Sequence, residues 1–184
     1  MLEELNVTDG PARYAEIDPN THSPLLQDVL KRAVAGRGRV PTPFKVWLHS
    51  EKLSDAIEHL GTMLNTQSSL SEREFELAIV LIAQHWESPF VIDAHLRFVS
   101  KAGMPAPIVE ELKARQVPHL ETEREKAIYA IFKAFDRKEV ATDEVFDHAV
   151  KHLGRNGLAE LLAFLGYYTA VAMAMKLHRE PVPN

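Results

Sequence analysis

Apolar side chains recur along most of this chain at intervals of three and four residues, which is the spacing of one face of an α-helix. Leu53, Ile57, Leu60 and Leu64 show the pattern most clearly. Residues 77–83 are all apolar, so the helix that contains them is expected to be buried on nearly every side. The strict alternation of apolar and polar residues that is typical of β-strands is not convincing in any segment. The pattern therefore predicts an all-α protein.

Four serine and threonine residues stand where helix N-caps are expected. Two of them precede a glutamate by three residues, which forms a capping box, and two directly precede a proline, which suits the first helical position. They are Ser71, Thr122, Ser23 and Ser88. Gly154 and Gly157 are expected to mark a break in the helical structure before a final helix at 158–178. In total the sequence predicts a bundle of about eight helices.

The chain is predicted to consist of a short arm and one helical domain. Residues 1–22 have weak periodicity and contain Gly10, Pro11 and Pro19, so we expect an arm that lies over the body. Residues 23–184 are expected to form a single domain, since this length is enough to bury one hydrophobic core. The uncharged run at 161–175 is shorter than the roughly 20 residues that span a bilayer. It indicates a helix in the core or at a subunit interface.

The composition excludes several classes of protein. The chain is 46% hydrophobic and 26% charged, as is typical of a globular protein, and its net charge of -5 argues against broad nucleic-acid binding. There is no cysteine, so disulfides, thiolate metal sites and thiol redox cycles within the chain are excluded. The acidic N-terminus lacks the apolar core of a signal peptide, and we therefore expect a cytoplasmic protein.

Two consecutive predicted helices place ionisable groups in an apolar setting. Glu76 lies on the buried helix, and His95 points into the apolar stripe of the next helix. Because helices joined by a short break normally pack antiparallel, Glu76 and His95 are expected to approach each other. A carboxylate beside an imidazole suits general acid–base catalysis. The alternative is that His95 is a satisfied core histidine and that Glu76 pairs with Arg73.

The spacing of four residues in this region resembles a known fold family. In the thiol-bearing branch of the alkylhydroperoxidase D-like fold, a glutamate is followed after eleven residues by Cys-x-x-Cys and, after three more, by a histidine. The same positions here are Glu76, Ser88, Val91 and His95. The resemblance implies an alkylhydroperoxidase D-like helical bundle. It does not imply the peroxidase and disulfide-relay mechanism of that branch, because both thiols are replaced.

The decarboxylase-like branch, the carboxymuconolactone decarboxylase family, provides a second resemblance. Its pattern A-R-H-W-x-x-x-Y-E-W-x-x-H is similar to residues 83–95. His85, Trp86 and His95 match and Phe90 is a near match, whereas the glutamate and tryptophan of the Y-E-W element are replaced by Val91 and Ile92. Further segments are similar in the same order, so the resemblance covers about residues 30–178; they are 37–38, 47–50, 101–105, 121–129 and 166–168.

The resemblance implies an enzyme, free of metal and organic cofactors, that decarboxylates or moves a proton on a carboxylated lactone or a related small organic acid. It implies His95, Glu76 and His85 as catalytic residues, and Trp86, Ser88, His49 and Arg37 as substrate-binding residues. An imidazolium would stabilise the charge left by loss of CO2 and return the proton, with Glu76 fixing the tautomer of His95. Arg37 or Arg39 would face a substrate carboxylate, unless both are ordinary solvated loop residues.

Other interpretations stay open at this point. The loss of polar groups at Val91 and Ile92 favours a non-catalytic small-molecule binder or scaffold as the alternative, and a peroxidase of the thiol branch is a remote one. His148 and His152 have the four-residue spacing of helix-borne metal ligands, but the sequence is not HExxH and we expect no metal. The resemblance implies a homo-oligomer (a dimer, trimer or hexamer), and we expect no nucleic-acid or membrane partner.

Overall fold

The computed structural model describes residues 10–182 and has an all-α architecture, which confirms the predicted fold class. A 3-10 turn at Pro19–Thr21 precedes eight helices in this part of the chain. The helices are α1 (Pro24–Arg37), α2 (Phe44–Trp47), α3 (Glu51–Thr66), α4 (Glu72–His85), α5 (Pro89–Lys101), α6 (Ala106–Lys113), α7 (Glu123–Asp136) and α8 (Asp143–His178). The first nine residues of the predicted N-terminal arm lie outside the described residues.

The predicted helix starts are present, and both capping boxes form. The Ser71 hydroxyl accepts a hydrogen bond from the Glu74 N–H, and the Glu74 carboxylate accepts one from the Ser71 N–H at 2.8 Å. Thr122 and Glu125 repeat the arrangement at the start of α7. Ser88 precedes α5 as predicted, but its hydroxyl makes no capping hydrogen bond. Local sequence thus determines where these helices begin.

The last helix is interrupted at one of the two predicted glycines. Gly154 has φ 71° and ψ 167°, which breaks the helical backbone of α8 as expected. The prediction for Gly157 is wrong, because Gly157 is buried inside the helix that follows the break. Helix α8 is long and apolar enough to cross a membrane, with a mean hydropathy of 1.5 over an 18-residue window, but 56% of that window is buried inside the protein. We therefore regard it as a core helix.

Helix α4 is the centre of the bundle and packs against α5, α7 and α8. Leu77, Ile79 and Val80 are fully buried on different sides of it, as the continuous apolar run predicts. Helices α1 and α3 pack on each other, and α3 also contacts α8. Residues from α1, α3, α5 and α8 line a cavity on one side of α4.

The chain that precedes α1 runs along the end of α8. The Arg13 N–H donates to the His178 carbonyl at 2.9 Å, and the Tyr14 N–H donates to Nδ1 of the fully buried His178 ring at 3.1 Å. A carboxylate oxygen of Glu180 lies 2.7 Å from Nε2 of the same ring. Because Nδ1 accepts a hydrogen bond, the imidazole has its proton on Nε2. His178 thereby ties residues 13–14 to the end of the last helix.

A two-point ion pair fastens the start of α4 to α7. Arg124 donates from Nε to Oε1 of Glu74 at 2.6 Å and from Nη2 to Oε2 at 3.0 Å. Burial by itself would raise the pKa of Glu74, but the hydrogen bonds from Arg124 and from the Ser71 N–H outweigh it, so the pKa is lowered. Glu74 is consequently charged in the folded protein well below neutral pH.

Replacing Glu74 with glutamine is expected to lower the free energy of unfolding at pH 7 by about 2 kcal/mol. The value lies between those of surface and buried ion pairs, because the Glu74 side chain is buried and the Arg124 side chain is partly exposed. The folded-state pKa lies below the ordinary value of 4.5. The pair therefore contributes fully above about pH 4.5 and loses its contribution as the pH falls through the folded-state pKa. Urea denaturation at pH 7 and at about pH 3 should show a smaller difference between variant and wild type in acid.

The matched control for this variant is Glu72→Gln in the same helical turn. Glu72 is exposed, so this substitution should change the free energy of unfolding by less than about 0.5 kcal/mol at both pH values. An equally large effect of Glu74→Gln at neutral and acid pH would contradict the assigned ion pair.

Candidate active site

The hairpin of α4 and α5 brings Glu76 and His95 into direct contact. Nδ1 of His95 lies 2.6 Å from Oε2 of Glu76, and only 15% and 8% of the two side chains are exposed. The contact expected from the sequence is present. The alternative partner for Glu76 is wrong, because Arg73 pairs instead with Glu121 and with Glu125 of α7.

The hydrogen bond fixes the tautomer of the imidazole. An ionised carboxylate only accepts hydrogen bonds, so Nδ1 of His95 has the proton that is shared with Glu76. Among residues 10–182, the hydrogen bond from Nδ1 to Glu76 is the one that the His95 ring makes, so Nε2 has no hydrogen-bond partner in this part of the chain. The pair has the arrangement in which a carboxylate orients an imidazole for proton transfer at its other nitrogen.

Glu76 and His95 border a cavity of about 440 Å³. One part of its wall is apolar and aromatic, formed by Phe90, Val91, Phe98, Tyr168, Val171 and Met175. The polar part holds Arg37, Arg39, Asn65 and Arg97 beside the Glu76–His95 pair. The histidine is thus not sealed by apolar side chains. The volume and mixed lining suit a small organic molecule with polar substituents.

Two tyrosines of α8 shape the wall behind the histidine. The Tyr168 ring meets the His95 ring edge-on at 5.5 Å, and its hydroxyl donates to Oδ1 of Asn65 at 3.3 Å. Burial raises the pKa of Tyr168, with the neighbouring Tyr167 and Glu76 adding to the effect. Tyr168 therefore stays a neutral phenol, and its ring packs edge-on against the imidazole.

Arg37, predicted as a substrate-binding residue, ends α1 and reaches the same cavity. Its Nη1 donates to the Tyr167 hydroxyl at 3.2 Å, and its guanidinium lies 5.8 Å from the centre of the Phe44 ring. Burial raises the pKa of Tyr167 even though the charge of Arg37 opposes this. The neighbouring charge of Glu58 adds to the effect of burial, so Tyr167 is a neutral hydrogen-bond acceptor for Arg37.

His85, predicted as a catalytic residue, and Trp86, predicted as a substrate contact, lie outside this cavity. Nδ1 of His85 is 2.7 Å from Oδ1 of Asp136, and Nε1 of Trp86 donates to Thr169 at 3.2 Å. Both residues line a separate cavity of about 310 Å³. His85 lies outside because it follows Glu76 by nine positions on α4. Nine positions are about two and a half helical turns, so the two side chains point to opposite sides of the helix.

Ser88 and His49, the other two predicted substrate contacts, also lie outside the cavity. Ser88 is buried, and its hydroxyl has no hydrogen-bond partner among residues 10–182. Val91 lies one turn later, at the position of the second cysteine of the thiol-bearing branch, and it does line the cavity. His49 is exposed after α2, where its ring packs 5.2 Å from the ring of Tyr14. The structure therefore brings together Glu76, His95 and Arg37 of the predicted site.

Several residues of the cavity wall were not singled out from the sequence as site residues, among them Asn65, Arg97 and Tyr168. Arg97 lies two positions after His95 on α5 and forms an ion pair with Asp93 at 2.5 Å. Its closeness to His95 along the sequence is the signal that could have identified it. Asn65 and Tyr168 come from α3 and α8, and only the packing of those helices onto α4 places them beside the histidine.

The side chains of His148 and His152 lie close to a carboxylate that the spacing of the two histidines does not predict. Glu123 of α7 joins them, with ligand atoms of all three within 4.8 Å of one another and Nε2 of His148 3.1 Å from Oε2 of Glu123. Hydrogen bonds from Lys126 and His148 lower the pKa of Glu123 to about 2. The Lys126 ammonium already binds the exposed Glu123 carboxylate and would compete with a metal ion for it. We therefore describe these residues as a surface ion-pair cluster.

The eight-helix bundle, with a glutamate and a histidine facing each other across the α4–α5 hairpin, has the AhpD-like fold. Three solved structures are similar over most of this chain. An uncharacterised peroxidase-related protein from Silicibacter sp. TM1040 has a TM-score of 0.71 at 17% identity, covering 96% of this chain and 95% of its own. The debrominase Bmp8, as a cysteine-to-alanine variant with 2,3,4-tribromopyrrole, has a TM-score of 0.69 at 14% identity, covering 95% and 92%.

The third structure is a protein of unknown function from Agrobacterium tumefaciens, ATU0492, described as an AhpD antioxidant defence protein. It has a TM-score of 0.64 at 16% identity and covers 74% of this chain and 94% of its own. At these identities the likeness shows a shared fold. No family model matches the sequence, and no curated protein matches it.

Proposed function

We propose that this protein is a cofactor-free enzyme, similar to carboxymuconolactone decarboxylases, which decarboxylates or moves a proton on a carboxylated lactone or a related small organic acid. The observation that supports the proposal most is the 2.6 Å contact between Glu76 and His95 in the wall of a 440 Å³ cavity. Carboxylate-oriented imidazoles in water-poor pockets are well suited to proton transfer.

The reaction we propose starts with His95 as an imidazolium, stabilised by the Glu76 carboxylate. The bond between the substrate carbon and its carboxylate breaks, CO2 leaves, and the electron pair delocalises into the lactone carbonyl. Nε2–H of His95 then protonates the carbon, and a water molecule restores the proton on the imidazole. In this scheme His95 is the general acid and Glu76 is the positioning residue.

The charge of the cavity supports an anionic substrate. Its lining includes Arg37 and Arg39, which belong to no ion pair within residues 10–182, together with Arg97, which is paired with Asp93, and a single carboxylate, Glu76. A wall with this balance attracts anions and disfavours cations. The apolar part of the wall offers a surface for the carbon skeleton of a small acid.

A non-catalytic small-molecule binder of the same fold is the alternative. Val91 and Ile92 stand where the decarboxylase-like pattern has a glutamate and a tryptophan. Val91 faces the cavity, which therefore lacks one polar group of that pattern. A peroxidase of the thiol branch has less support, since it would need a cysteine and the sequence has none.

The proposal is tested by incubating the protein with γ-carboxylated butenolides in D2O. We expect release of CO2 and incorporation of one deuterium at the carbon that loses its carboxylate, both detected by NMR. The matching lactones without a carboxylate should stay unchanged. Saturable binding of the carboxylated lactones without either change would support the non-catalytic alternative and overturn the enzyme.

A further inference from the structure

A second imidazole–carboxylate pair lies across α4 from the Glu76–His95 cavity. Nδ1 of His85 is 2.7 Å from Oδ1 of Asp136, and Nζ of Lys133 donates to Oδ2 of the same carboxylate. Hydrogen bonds from Lys133 and from His85 lower the pKa of Asp136, so the carboxylate is charged at neutral pH. A charged carboxylate only accepts hydrogen bonds, and the neutral His85 ring therefore has its proton on Nδ1.

The other ring nitrogen of His85 is an acceptor that has no partner. Nε2 makes no hydrogen bond to any group within residues 10–182, and 31% of the His85 side chain is exposed. Because the proton is held on Nδ1, Nε2 of the neutral ring accepts but does not donate. The oxygens of Asp136 also only accept. A ligand that meets this pair therefore needs a hydrogen-bond donor.

The pair lies in the wall of a largely apolar cavity of about 310 Å³. Thr169 is a further polar group of this wall, and its hydroxyl already accepts a hydrogen bond from Nε1 of Trp86 at 3.2 Å. Among the described residues of the lining, the one acidic or basic side chain besides His85 is Asp136, whose charge Lys133 balances. The cavity therefore favours an uncharged molecule with an apolar body. The apolar side chains of its wall are Ile82, Trp86, Phe132, Phe135, Leu162 and Leu165.

The aromatic part of the wall is held in place. Trp86 is fixed through both its backbone and its indole, since Nζ of Lys176 donates to its carbonyl oxygen at 2.9 Å and its Nε1–H is hydrogen-bonded. The His85 ring meets the rings of Trp86 and Phe132 edge-on, with centroids 5.6 and 6.5 Å away. Phe135 is 47% exposed, so the cavity is open to solvent. A flat aromatic ring thus finds a preformed surface.

We propose that this cavity is a second ligand site, which binds a small aromatic alcohol such as a phenol. Its hydroxyl donates to Nε2 of His85, and its ring lies against Trp86, Phe132 and Phe135. A phenol suits the site better than an aromatic carboxylate, because a carboxylate has no donor for Nε2 and is repelled by Asp136. Binding at this site is independent of the proposed reaction, since the two cavities lie on opposite sides of α4.

The site is tested with three ligands of similar size, 4-fluorophenol, 4-fluorotoluene and 4-fluorobenzoate. Binding is followed at about pH 8, where an ordinary imidazole is neutral, from the indole N–H resonance of Trp86 in ¹H–¹⁵N spectra. We expect 4-fluorophenol to bind at least about threefold more tightly than 4-fluorotoluene, in which a methyl group replaces the hydroxyl. 4-Fluorobenzoate should bind more weakly than either. The other tryptophan, Trp47, packs on Tyr167 of the Glu76–His95 cavity, so its resonance reports binding there.

Three variants assign the acceptor. His85→Leu removes Nε2 and keeps the wall apolar, so it should bind 4-fluorotoluene at least as tightly as 4-fluorophenol. His85→Gln, whose amide oxygen still accepts a hydrogen bond, should retain part of the preference for the phenol. The matched control is His95→Leu, the same substitution in the other imidazole–carboxylate pair, which should keep the wild-type preference at Trp86.

The circular dichroism spectrum and the thermal midpoint establish that each variant is folded. Equal binding of 4-fluorophenol and 4-fluorotoluene by the wild type, a preference that survives in folded His85→Leu, or tightest binding of 4-fluorobenzoate would overturn the site. If His85→Leu does not fold, the three ligands on the wild type and on His85→Gln decide instead. A shift at Trp47 without one at Trp86 would place the phenol in the Glu76–His95 cavity and would also overturn the proposal.

Discussion

Replacing His95 with glutamine is expected to reduce the kcat for decarboxylation by a factor of about 10² to 10⁴, which is the usual contribution of a general acid. Glutamine keeps much of the volume of the imidazole and can still donate to Glu76, but it has no proton to deliver to the substrate carbon. The KM should change much less, since the contacts of Arg37 and the apolar wall are untouched. Rates from CO2 release under saturating substrate provide the measurement.

Two further variants separate the roles in this pair. Glu76→Gln should lower kcat by a smaller factor, about 10 to 100, because the imidazole stays in place but loses the carboxylate that orients it. In that variant the ¹⁵N spectrum of the neutral His95 ring should show a mixture of the Nδ1–H and Nε2–H tautomers, where the wild type shows Nδ1–H alone. His85→Gln is the control, because His85 bonds to Asp136 outside the cavity and should keep turnover within about twofold. Equal rates for His95→Gln and wild type would remove His95 from the mechanism.

Replacing Gly61 with alanine is expected to lower the free energy of unfolding by about 1 to 3 kcal/mol, the usual cost of overpacking. An added Cβ would lie 2.3 Å from the hydroxyl oxygen of Tyr167 and 2.7 Å from the adjoining ring carbon. The Tyr167 ring cannot easily retreat, because it is buried against the rings of Trp47 and Tyr168. The close approach of α3 to α8 therefore requires glycine at this position.

Gly166→Ala is the matched control for this effect. Gly166 lies on α8 with no atom within 4 Å of an added Cβ, so the variant should gain up to about 1 kcal/mol from helix propensity. Combining Gly61→Ala with Tyr167→Phe removes the oxygen that is nearest to the new methyl group, and should recover part of the lost stability. Urea denaturation provides all four values. A loss on Gly61→Ala that Tyr167→Phe does not reduce would contradict the assigned clash.

The sequence determined those features that depend on residues a few positions apart. The capping boxes at Ser71 and Thr122 form because the two partners lie within one turn of helix. The contact of Glu76 with His95 follows from two apolar faces joined by a short break, since such helices pack antiparallel. Helix geometry alone also predicts that His85 points away from Glu76, because the two residues are nine positions apart on one helix.

Only the tertiary structure decided what surrounds the Glu76–His95 pair. Arg37, Asn65 and Tyr168 come from helices that are remote along the chain, and their approach depends on how α1, α3 and α8 pack on α4. Helix periodicity fixes which face of each helix is buried, but not which neighbour covers it. The pair was therefore predictable from local pattern, whereas the cavity and its excess of arginine were decided by long-range packing.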